Sequence, residues 1–95
     1  LFPEAITAGV RIDAIEADLS READVARLVA HCRSFGEASP FRGIFHCSGF
    51  SMDVALADIQ RGDLEKIAGP KNNAAWWLHE RTLGLSPALE VFAVV

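Results

Sequence analysis

A few positions in this chain combine a reactive residue type with a place where it could act. His31-Cys32 and His46-Cys47 each join an imidazole to a thiol, Asp18 ends an apolar run, and Lys71 directly follows Gly69-Pro70. Imidazole and thiolate are zinc ligands, so a pair of His-Cys dipeptides invites a metal reading. Zinc sites usually separate paired ligands by roughly two to four residues, whereas adjacent residues on a strand point to opposite faces. The spacing therefore argues against a metal, and none is expected. A carboxylate after a strand serves most simply as a turn or cap residue, so Asp18 alone specifies no ligand. Lys71 breaks a local rule. In the first turn of a helix the dipole disfavours a cation, and such conflicts are expected where function overrides local preference.

The elements that must position these residues follow from pattern. Val10 to Ala17 reads as a strand, stopped by Asp18 and Ser20. Ser20 reads as a helix N-cap with Glu22 and Asp24 in the first turn, and Val25, Leu28, Val29 and Cys32 hold helical spacing. Gly36 to Pro40 is a loop, and Phe41 to Phe50 is a second strand suited to burial on both faces. Leu56, Ile59, Leu64 and Ile67 predict helix from Met52 to Ala68, broken near Gly62. Gly69-Pro70 predicts the start of another helix with Ala74, Ala75 and Leu78 inward, closed by Ser86-Pro87. Leu89 to Val95 is a third apolar strand. Strands alternating with helices predict βαβ units: an α/β fold with a doubly wound parallel sheet and helices on both faces. Ligands of such sheets bind outside the carboxyl ends of the strands. Those ends are Asp18-Leu19, His46 to Gly49, and whatever follows Val95.

Composition narrows the classes. Over 95 residues, 51% hydrophobic and 23% charged, the chain is at most one globular domain. Nine basic against 13 acidic side chains give a net charge of -4 with no basic cluster, which argues against nucleic acid. The longest uncharged stretch, Gly43 to Met52, is too short and too polar to span a membrane. Acidic Glu4 and the lack of an apolar core exclude a signal peptide at the start. Two cysteines, reduced by default, fit a cytoplasmic protein. Trp76 and Trp77 read as amphipathic anchors of their helix.

At the strand ends the sequence resembles a known family. Asp18-Leu19, Gly43-Ile44-Phe45-His46-Cys47-Ser48-Gly49, and Gly69-Pro70-Lys71 followed by Trp77-Leu78-His79-Glu80 resemble the ketoreductase domain of modular polyketide synthases, within the short-chain dehydrogenase/reductase superfamily. The resemblance runs from about Val10 to Val95 in the family's order. It implies a Rossmann-like domain of which residues 1–95 are the central part. The glycine-rich pyrophosphate turn would lie before Leu1, and the serine, tyrosine and asparagine of the active site after Val95.

The roles it implies are specific. Asp18 matches the acidic residue that accepts a hydrogen bond from the adenine of NADPH, with the backbone of Leu19 beside it. His46, Cys47, Ser48 and Gly49 match the turn passing the adenosine ribose, where two alanines are commoner than Cys47 and Ser48. Lys71 matches the catalytic lysine, whose ammonium holds the nicotinamide ribose and favours the ionised tyrosine. Asn72 and Asn73 depart from the apolar and small residues usual there. Ser51-Met52-Asp53 falls where one stereotype carries Leu-Asp-Asp, and only Asp53 matches, as a stereocontrol residue.

The function so implied is an NADPH-dependent β-ketoacyl reductase acting on thioesters of an acyl carrier protein, partnered by the remaining synthase domains. Alternatives are another short-chain dehydrogenase acting on a free small molecule, or an inactive ketoreductase-like scaffold. In the strand order 3-2-1-4-5-6, Val10 to Ala17 is third and the strands at Phe41 and Leu89 are fourth and fifth. The isolated chain is therefore expected to leave Val10 to Ala17 without its neighbours and to be inactive alone.

Overall fold

The computed structural model describes residues 2–36, 38–49 and 53–95. Helix α1, Pro3–Thr7, precedes helix α2, Glu22–Arg33. Strand β1, Gly43–His46, leads to a 3-10 turn at Leu56–Asp58 and helix α3, Arg61–Ala68. A π turn, Gly69–Asn73, joins α3 to helix α4, Ala74–Thr82, and strand β2, Val91–Val94, closes the order.

The strands at Phe41 and Leu89, expected to be neighbours, pair with one another. β1 and β2 form a parallel two-stranded sheet in the register Gly43↔Val91 to His46↔Val94. Parallel strands need a long crossover, and α3, the π turn and α4 supply it. Pairing continues past both ends of the ladder. Glu90 N–H donates to Arg42 O at 2.7 Å, and Val95 N–H donates to His46 O at 3.0 Å. Arg42 also grips both carboxylate oxygens of Glu90 at 2.7 and 2.8 Å. Both side chains are exposed, so that pair fixes register more than it stabilises.

The core lies between α2 and α4. Val25 and Val29, from the predicted apolar stripe, are buried against Leu78, with Leu19, Phe41, Ile44 and Trp77 packed around them. Ala74 is buried as expected. The helix starts one residue later than predicted. Arg21, not Ser20, occupies the cap position. Ser20 turns its hydroxyl to Asp18 Oδ1, while Asp24 Oδ2 accepts the Asp18 N–H at 2.9 Å.

Other expectations are corrected. Val10 to Ala17 is not a strand. Apolar alternation supplies the faces of a strand but not its ladder, and among the described residues this segment finds no backbone partner beyond Val10. Its side chains serve α2 instead: Arg11 and His31 both bond the Asp13 carboxylate at 3.0 Å. The break expected near Gly62 falls just before it: the 3-10 turn ends at Asp58 and α3 begins at Arg61, where Asp63 Oδ2 accepts the Gln60 N–H at 3.1 Å and holds the start of the helix.

Gly69-Pro70 does not start a helix either. Proline lacks an N–H and clashes with the carbonyl four residues back, and the chain meets this by widening. Ala74 N–H reaches back to Gly69 O, a π-type bond, and the helical run continues into α4. Lys71 therefore sits inside a helical run, and the expected first-turn conflict with the dipole does not arise.

The radius of gyration is 16.0 Å, against about 12 to 13 Å for a compact domain of this length. Much apolar surface stays open to solvent, including Phe45 at 72% exposure, Leu56 and Leu83. Among the described residues, no helix is long and apolar enough to cross a membrane.

Candidate functional site

Lys71, His46 and Val95 meet at the carboxyl ends of both strands. The His46 carbonyl accepts the Val95 N–H at 3.0 Å, and the Lys71 ammonium donates to the Val95 carbonyl. The His46 imidazole closes the circuit, with Nε2 3.0 Å from the Lys71 carbonyl oxygen. A carbonyl only accepts, so Nε2 must carry the proton. His46 is buried although charged and polar groups rarely are, and this bond satisfies it.

Gly49 lies against the same lysine. A methyl group placed on Gly49 would lie 3.5 Å from Lys71 Cε, an ordinary van der Waals contact, so the turn after β1 runs beside the lysine side chain. Asp18 lies across a cleft from Gly49. It shares with Ser20, Gly49 and Pro70 an open cleft of about 640 Å³, to which Glu65 and Lys66 add opposite charges. That volume suits a small organic ligand.

The Asp18 carboxylate is built to stay ionised. The Ser20 hydroxyl, and then the Ser20 N–H at 3.0 Å, bond its Oδ1 and hold its pKa below the ordinary value. Both bonds use one oxygen, and Oδ2 makes no hydrogen bond among the described residues. An ionised carboxylate with one oxygen available accepts well from an amino group such as that of adenine. An acceptor oxygen beside an open cleft fits the amino group of an adenosine.

The remaining expected residues lie nearby or apart. Leu19, His46, Cys47 and Ser48 line an adjoining groove on β1, with Leu19 half-buried against the core and Cys47 an exposed free thiol. Asp53 is exposed, while Ser51 and Met52 fall outside the described residues. His31-Cys32 lies along a different pocket with Arg11, Asp13 and Phe35, and burial pushes the Cys32 thiol above its ordinary pKa. Among the described residues, no cluster of three or more metal-ligating side chains occurs.

Sequence reasoning missed the partnership of His46 with Lys71. The residues are 25 positions apart, and no local spacing encodes the contact. The only available signal was a histidine closing an apolar strand, a place where a buried imidazole needs a partner.

The family described as KR domain matches residues 2–95. The chain is 33% identical over 94 residues to the polyketide synthase GfsE of Streptomyces halstedii, covering 99% of this chain and 2% of that protein. It is 30% identical over 91 residues to the phenolphthiocerol synthesis polyketide synthase type I Pks15/1 of Mycobacterium marinum, covering 96% of this chain and 4% of that one. The highly reducing polyketide synthase valA of Aspergillus terreus is 29% identical over 87 residues, covering 92% of this chain and 3% of its own length. No solved structure matches.

Proposed function

Because the chain belongs to the KR domain family, we propose that it forms the central part of a ketoreductase domain in a polyketide synthase. In the intact protein that domain reduces the β-keto group of an acyl chain held as a thioester on an acyl carrier protein. The observation that carries this reading is the placement of Lys71 at the carboxyl ends of both parallel strands, against Gly49 and beside the Asp18 cleft. Ligands of parallel α/β sheets bind at such ends.

NADPH, when bound, supplies the hydride. The residues of this chain hold and orient. Asp18 Oδ2 accepts from the adenine amino group, with the Leu19 backbone alongside. The turn from His46 through Cys47 and Ser48 to Gly49 passes the adenosine ribose. Lys71 holds the nicotinamide ribose, and its positive charge favours the ionised form of a neighbouring acid, easing proton donation to the forming alkoxide. Asp53 lies on the segment that would guide the substrate's approach and so the product's stereochemistry. The doubly wound Rossmann-like sheet would add strands beside β1 and β2, consistent with the large apolar surface left exposed. The remaining synthase domains are the partners, and the cytoplasm is the setting.

The test is NADPH oxidation by the intact parent synthase, given a β-ketoacyl thioester or a free small ketone. The expected result is oxidation that depends on the thioester. Reduction of the free ketone alone would favour a stand-alone dehydrogenase, and no oxidation with either would favour an inactive scaffold.

A further inference from the structure

We propose that His46 is a positioning residue for Lys71, acting through the π turn. The inference rests on the reading of Lys71 as the lysine of a reductase and adds a residue to it. Lys71 lies inside the Gly69–Asn73 turn, where regular helical bonding is interrupted, and π turns of this kind often occur at functional sites. Its carbonyl accepts the Ala74 N–H from within the turn and the His46 Nε2–H from β1. The imidazole is buried at 3% exposure, and its own backbone is tied to β2 through Val95. The sheet thus holds the backbone of the lysine through His46.

A lysine side chain is long and flexible, so its tip is placed only as well as its backbone is. A displacement of about 1 Å from productive geometry can lower a rate about a hundredfold. An imidazole suits the task because its Nε2–H lies far enough from the strand to reach the turn. The neutral tautomer and the imidazolium both carry that proton.

The experiment compares His46→Gln, His46→Asn and His46→Phe in the intact parent synthase, each alone and combined with Lys71→Ala. Glutamine places an amide N–H near the position of the imidazole Nε2–H, asparagine is too short, and phenylalanine has no donor. Turnover is expected to fall about tenfold or more in His46→Asn and His46→Phe and to fall less in His46→Gln. In the Lys71→Ala background, His46→Asn is expected to cause no further loss, because the two residues act as a unit. A purely structural role would lower turnover in that background as well.

Parental turnover in folded His46→Asn, equal loss in His46→Gln and His46→Asn, or a His46→Gln protein that fails to fold would each overturn the proposal. If His46→Phe alone fails to fold, the glutamine and asparagine pair decides it. Near-normal reduction by Lys71→Ala would instead defeat the reading of the lysine itself. A dead Lys71→Ala beside unaffected His46 variants would defeat only the role of His46.

Discussion

Gly69 and Ser20 touch with no room for another atom: a methyl group built on Gly69 would lie 2.9 Å from Ser20 Cβ. Gly69 opens the π turn, and Ser20 is the residue that bonds the Asp18 carboxylate. The absent side chain thus lets the crossover helix lie directly on the turn that shapes the Asp18 cleft. Serine Cβ sits next to the backbone and cannot swing away, so Gly69→Ala must shift one segment or the other. Overpacking of this kind typically costs about 1 to 3 kcal/mol. Denaturant unfolding should show a loss in that range, and an unchanged midpoint would mean that the contact gives way freely.

That contact joins residues far apart in sequence, as do most features the sequence did not disclose. Helix α2 was legible because Val25, Leu28, Val29 and Cys32 carry their helical period locally, and Val25 and Val29 are buried as that period requires. The strands at Gly43–His46 and Val91–Val94 were legible as apolar runs, although each is shorter than its run. Val10 to Ala17 carries an equally good alternation and forms no strand, since a ladder needs a partner that its own residues cannot provide. At Gly69-Pro70 a helix start and a widened helical turn present the same dipeptide. Only the Ala74 to Gly69 bond separates them. Of the positions singled out in the sequence, Asp18 and Gly49 line one cleft and Gly49 touches Lys71. The contact between His46 and Lys71 was not legible, because it depends on how the crossover packs on the strand end.

Asp18→Ala should weaken NADPH binding by roughly tenfold, in line with loss of a hydrogen bond to a charged group, and should affect the chemical step less. Ser20→Ala serves as the control, because it removes a bond that holds the carboxylate without removing the carboxylate itself. Titration of NADPH into both variants checks this. Unchanged affinity in Asp18→Ala would remove the residue from the adenine site.

Asp13 should make the protein sensitive to acid. Hydrogen bonds from Arg11, and then from His31, hold its pKa below the ordinary value. A depressed folded-state pKa contributes stability that is fully present above the unfolded value, about 4, and is lost as pH falls through the folded value. The stability gap between the parent protein and Asp13→Asn should therefore be full above about pH 4 and narrow as pH falls below that value. Urea unfolding across that range measures it, and a gap independent of pH would show that the pair contributes nothing through charge.

The central claim is that Lys71, at the ends of the paired strands, serves ketone reduction. Turnover of a β-ketoacyl thioester by the intact synthase carrying Lys71→Ala, set against the parent, tests it most directly. Loss of a group that orients or transfers a proton costs about a hundredfold or more in rate, and a drop of that size in a folded variant is the predicted result. Near-parental turnover in that variant would contradict the account.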